Sequence, residues 1–155
     1  GIWTEANISL AAAFTWWNNT FNLGYDIDWA KSNLAYLAAD LGVNYLNKGD
    51  IAAAKSLYEF AVKINPKYGL GYCNLGVIYE RMGQIGLAKK YYLLTNQIDP
   101  AYVEGYFNLA SIYWRENNWP EVIKLYETVL AYQPGHQAAK YYLTLAQTRA
   151  ATRSQ

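Results

Sequence analysis

The sequence predicts an all-α chain made of stacked helix pairs, and three observations predict it. Pro66, Pro100 and Pro134 stand 34 residues apart in a chain with only 4 prolines. Other residues fall into register on the same period: Leu41-Gly42, Leu75-Gly76 and Leu109-Ala110, then Tyr45, Tyr79 and Tyr113. Ala54, Ala88 and Val122 follow, then Tyr58, Tyr92 and Tyr126, while Gly49 and Gly83 match with Asn117 in the third copy. Finally, the apolar residues between these markers recur at helical spacing, and a fixed period of this length marks a repeat array.

Residues 1–34 stand outside the repeat. They hold Trp3, Trp16, Trp17 and Trp29, and from Ala6 to Tyr25 there is no charged residue. The run Ile8–Trp17 is predicted helical and is apolar nearly all round, so it must be buried against something. Three destinations meet that need. It caps its own first repeat, it inserts into a neighbouring copy as a self-association arm (Trp3, Ile8, Leu10, Phe14, Trp16, Trp17 and Phe21), or it meets a membrane. Membrane contact is not favoured, because the run is about half the length needed to span a bilayer. Asn7-Ile8-Ser9 and Asn18-Asn19-Thr20 match the N-glycosylation sequon, which matters only outside the cell. Asn22–Asp28 is a turn, and Asp28 is placed to cap a helix running from Trp29 to about Asn47.

In the first repeat, Leu37, Ala38, Leu41, Tyr45 and Leu46 form one apolar face, and Lys48-Gly49-Asp50 stops that helix and starts the next. The second helix is apolar at Ala54, Leu57, Tyr58, Ala61 and Ile64 and ends at Asn65-Pro66. Gly42 and Ala54 let the two backbones approach closely. Each pair leaves an apolar face that the next pair covers, so the copies stack. Gln137–Arg149, with Ala139, Tyr142, Leu143 and Ala146 on one face, is predicted to be a closing helix, and Ala150–Gln155 a frayed polar tail.

These spacings resemble the tetratricopeptide repeat, with copies at 35–68, 69–102 and 103–136. The resemblance implies an α-solenoid of helix–turn–helix units, flanked here by the N-terminal apolar helix of residues 1–34 and a C-terminal capping helix in 137–155. It also implies a partner-binding groove lined by the first helix of each pair. Carried over by position, that groove takes Tyr36, Asp40, Val43 and Asn47 from the first copy. The second copy supplies Leu70, Cys73, Asn74, Val77, Glu80 and Arg81, and the third Glu104, Phe107, Asn108, Ser111, Trp114 and Arg115. Asn74 and Asn108 are equivalent, and an amide there can pair with an extended peptide backbone. Family members that grip acidic chaperone tails clamp them with lysines; Ala39, Asp40, Leu70 and Glu104 stand at or beside those places. Val43, Leu70, Val77, Phe107 and Trp114 offer an apolar, aromatic trough instead, which suits an amphipathic helix.

Composition narrows the function further. The net charge is +1 and the basic residues are scattered, so nothing marks a nucleic-acid partner. Charged residues make up 16% of the chain and aromatics 17%, with 16 tyrosines. Tyr36, Tyr68, Tyr91, Tyr102, Tyr132 and Tyr141 occupy places where a repeat usually carries charge, and such a surplus points to contact with something else. Cys73 is the only cysteine and His136 the only histidine, which leaves no multi-cysteine metal site, no nucleophile–base pair and no cofactor motif. The start at Gly1 with low charge is compatible with an exported or cell-surface protein. The sequence therefore predicts a non-enzymatic scaffold that binds a protein or peptide partner. The alternative is a self-assembling subunit, a homo-oligomer or filament, in which the N-terminal arm packs on a neighbouring copy.

Overall fold

The computed structural model describes residues 27–153, and these form seven α-helices with no strand among the described residues. In order they are α1 Ile27–Asn47, α2 Ile51–Ile64, α3 Gly69–Arg81, α4 Ile85–Ile98, α5 Val103–Arg115, α6 Trp119–Tyr132 and α7 Gln137–Arg153. The self-association arm and the Asn7 and Asn18 sequons lie outside the described residues. Contacts divide the chain into two compact units, Gly1–Gly71 and Tyr72–Gln155.

In the first unit, α1 and α2 form an antiparallel pair joined at Gly49, whose φ of 83° belongs to the left-handed region that only glycine enters freely. Asp50 caps α2 by accepting a hydrogen bond from the Ala53 amide at 2.9 Å. The helices cross at Gly42, where an added Cβ would lie 2.6 Å from the Tyr58 ring. Ala35, Ala38 and Ala61 form the small-residue core, with Leu57, Phe60 and Tyr68 packed against it. As expected, α1 is longer than its counterparts, with 21 residues against 13 in α3 and α5. Asn65, the α2 C-cap, reaches its extra turns by donating to the Ser32 hydroxyl at 3.3 Å. Asp28 does not cap α1. The helix begins at Ile27, two residues before the expected start at Trp29, and Asp28 sits in its first turn beside Lys31 at 3.9 Å.

A second expectation fails here. The spacing puts Leu37 and Leu41 on the buried face of the first repeat, yet they are 61% and 47% exposed. Ala38 and Leu46 on the same helix are buried as expected. The difference is positional: Ala38 joins Ala35 and Ala61 in the small-residue core, whereas Leu41 lies at an open cavity that it shares with Leu57 and Phe60 of α2.

The second unit repeats the same devices. Gly83 and Asn117 make the turns with φ of 74° and 56°, and Asn is the residue type that tolerates this region best after glycine. Gly76 lies against the Tyr92 ring and Gly105 against Thr95 and Asn96, so α3 meets α4 and α4 meets α5 with no room for a side chain. Leu109, Ala110 and Ile112 of α5 and Val122 and Val129 of α6 are fully buried, and the two helices pack on each other. Helix α7 packs on α6 through Ala139 and Ala146, both fully buried. It also runs to Arg153, so residues 150–153 are helix and not the frayed tail expected. The run after Ala146 holds no Gly or Pro, and its alanines favour helix. No described helix is long and apolar enough to cross a membrane.

Candidate interaction groove

The groove positions fall in both units. In the first, Tyr36, Asp40 and Val43 are exposed on α1, Asn47 is exposed at its end, and Leu70 is half-buried in the first turn of α3. Tyr68 lies near Tyr36 and Asp40. Burial first, and those two neighbours next, push its phenol above the ordinary range.

In the second unit the predicted positions on α3 and α5 are linked to each other. Cys73 is buried, and Asn108 donates its amide to the sulfur at 3.3 Å. Burial raises the Cys73 thiol to about 11 against the weaker pull of that hydrogen bond, so it is a neutral thiol at physiological pH and no nucleophile. Asn108 thus spends one donor inside the unit, which leaves less of the amide for a peptide backbone than the sequence predicts. Glu80 accepts from the Tyr92 hydroxyl at 2.9 Å and pairs with Arg115 through its other oxygen. Burial, followed by the Glu80 contact, drives the Tyr92 phenol far above its usual range. Asn74 and Val77 are half-buried, while Arg81, Glu104 and Ser111 are exposed.

The two aromatic positions are floored, not free-standing. Phe107 meets the edge of Tyr126 at 5.2 Å and tilts against His136 at 4.9 Å. Trp114 meets Trp119 edge-on at 5.1 Å and Tyr142 at 6.1 Å, and Tyr142 stacks on Tyr126 at 5.7 Å. Burial first, then Tyr142, raises Tyr126 to about 12. Phe107 and Trp114 remain half-exposed, so they present a braced aromatic surface on α5.

Sequence reasoning missed several supports. His136 does more than fill a turn: its Nδ1 accepts from the Ala139 amide at 3.3 Å and caps α7. Lys89 pairs with Glu116 at 2.6 Å and lies 4.4 Å over the Tyr113 ring, tying α4 to the end of α5. The Glu80–Arg115 separation, one residue off the repeat period, was the available signal for the first pair. Among the surplus tyrosines, Tyr36, Tyr132 and Tyr141 are exposed, whereas Tyr91 is half-buried and stacked on Tyr79 at 5.0 Å.

Models of the tetratricopeptide repeat match residues 35–68, 71–102 and 106–138. No curated protein sequence matches the chain. Solved structures do. The first TPR domain of Spaghetti (RPAP3), bound to the HSP90 peptide SRMEEVD, aligns with a TM-score of 0.69 at 21% identity, over 77% of this chain and 98% of that one. The Arabidopsis OM64 TPR domain gives 0.65 at 16% identity, over 76% and 98%. The Sgt2 TPR domain from Aspergillus fumigatus gives 0.67 at 18%, over 77% and 81%. The periodic prolines, the three left-handed turns and the glycine–tyrosine crossings are thus those of a known all-α solenoid, and the chain belongs to the tetratricopeptide-repeat family.

Proposed function

We propose that the chain is a non-enzymatic interaction scaffold that holds an apolar, aromatic-bearing helical segment of a partner protein on the first-helix faces of its repeats. The observation that carries this reading is the braced, half-exposed pair Phe107 and Trp114, beside charges that already satisfy each other in Glu80–Arg115. Aromatic side chains held in place by neighbours lose little freedom on binding and make efficient anchors. The neighbour bound to SRMEEVD has an acidic ligand. Here Asp40 and Glu104 are exposed on the corresponding faces and repel such a tail. Two labelled peptides test the reading by fluorescence anisotropy: SRMEEVD, and an amphipathic helix bearing Leu and Trp at i, i+4 spacing. The helix is expected to bind and Ser111→Arg, on the exposed face of α5, to weaken it. Tighter binding of the acidic peptide overturns the reading.

The second reading is self-association. Leu37 and Leu41 favour it, because a large apolar face on the first repeat stands exposed. Such faces are uncommon on chains that act alone.

A further inference from the structure

Two side-chain bonds fix how α3 and α5 lie together. Asn108 donates to Cys73 at 3.3 Å and Arg115 pairs with Glu80, and in each bond the partners are 35 residues apart. One constant offset, kept over two turns, means that the helices run parallel and level. Glu116 therefore stands level with Arg81, and Glu104 lies about 18 Å back along the axis, at about 1.5 Å per residue.

The charges on this face are settled in its middle and open at its ends. Glu80 and Arg115 neutralise each other, and Glu116 is held by Lys89. Glu104, in the first turn of α5, and Arg81, in the last turn of α3, are exposed. Neither has an ion-pair partner among the described residues. Besides burial, the Glu104 charge raises the Cys73 thiol, so that carboxylate lies on the α3 side of α5. Between the two ends, Val77, Phe107, Ser111 and Trp114 reach the surface and carry no charge. The face thus has a direction: negative where its helices begin, positive where they end.

We propose that this face selects a partner helix running antiparallel to α3 and α5, acidic in its first turn, basic in its last and apolar between, an inference that rests on the scaffold reading above. The partner's last turn then lies over Glu104 and its first turn over Arg81. Its own dipole favours charges placed that way, and it opposes the dipoles of α3 and α5. The same helix laid parallel sets like charge on like at both ends.

The test uses the full chain and one amphipathic helical peptide with Leu and Trp on its apolar face, Glu in its first turn and Lys in its last. Anisotropy gives its affinity, and a nitroxide on either end gives its direction by broadening amide signals of the isotope-labelled protein. A nitroxide at the last turn is expected to broaden residues 103–107 more than 77–81, and one at the first turn the reverse. Glu104→Lys with Arg81→Glu is expected to weaken binding about fivefold in low salt, or to turn the peptide round. Glu104→Gln alone, which sets no new charge in the first turn of α5, is expected to cost about twofold. Circular dichroism should be unchanged in both variants. Broadening that shows a parallel peptide, or one away from α3 and α5, overturns the proposal and leaves the scaffold reading standing. So do affinity and direction that both survive the double substitution. A peptide that does not bind the unsubstituted chain overturns both.

Discussion

The first and third repeats carry the same leucine at the same place, and only one of the two is buried. Leu109 sits in α5, against which both α4 and α6 pack, while Leu41 sits at an open cavity lined by α1 and α2. Burial in a repeat array is therefore a property of the neighbour as much as of the residue. The same repeat position is core in one copy and largely open in another.

The largest effect that sharpens this contrast comes from truncating the two leucines. Leu109→Ala is expected to destabilise by about 3 kcal/mol and Leu41→Ala by under about 1 kcal/mol, measured by urea denaturation of dilute protein. Equal losses would mean that Leu41 is covered in the isolated chain. A second comparison concerns the helix crossings, which should behave alike in both units. Gly42→Ala drives a Cβ into the Tyr58 ring and is expected to cost about 1–3 kcal/mol. Gly86→Ala, in α4 with nothing within 4 Å, is expected to gain up to about 1 kcal/mol from helix propensity.

Smaller again is the cap of α2. Asp50→Ala removes the acceptor for the Ala53 amide and should cost about 1 kcal/mol, whereas Gln84, which caps α4 without a side-chain bond, should tolerate alanine within about 0.5 kcal/mol. The smallest effect appears only in alkali. Tyr92, Tyr126 and Cys73 have folded-state pKa values raised above their unfolded ones, mainly by burial. Each contributes stability that is complete below its unfolded pKa and is lost as pH rises toward the folded one. The second unit should thus be flat in stability from neutrality to about pH 8 and decline from about pH 9 upward, followed by circular dichroism. Cys73→Ser with Tyr92→Phe should flatten the decline.

Much of the fold was legible because repetition multiplies weak signals. One Gly-Asp pair predicts little, but Gly49, Gly83 and Asn117 at one spacing predict three left-handed turns, and all three have positive φ. The crossings at Gly42 and Gly76 followed from the same register. What the period could not convey was how far each copy is covered, so Leu41 reads as core in the sequence yet is largely exposed. Nor could it show where polar atoms spend their bonds. Asn74 and Asn108 match in sequence, yet Asn108 donates to Cys73, because its partner lies on another helix and is not set by local spacing.

The threonines of α7 have a consequence for how its surface meets water. Thr144 donates its hydroxyl to the Lys140 carbonyl at 3.0 Å and Thr148 to the Thr144 carbonyl at 2.9 Å. A hydrogen given to the helix's own backbone is not offered to solvent. Together with Tyr141 and Leu145, these residues line an open concavity on α7. By formula it is a polar strip; in hydration it is drier than its letters suggest, and drying is what a surface must do before it can adhere.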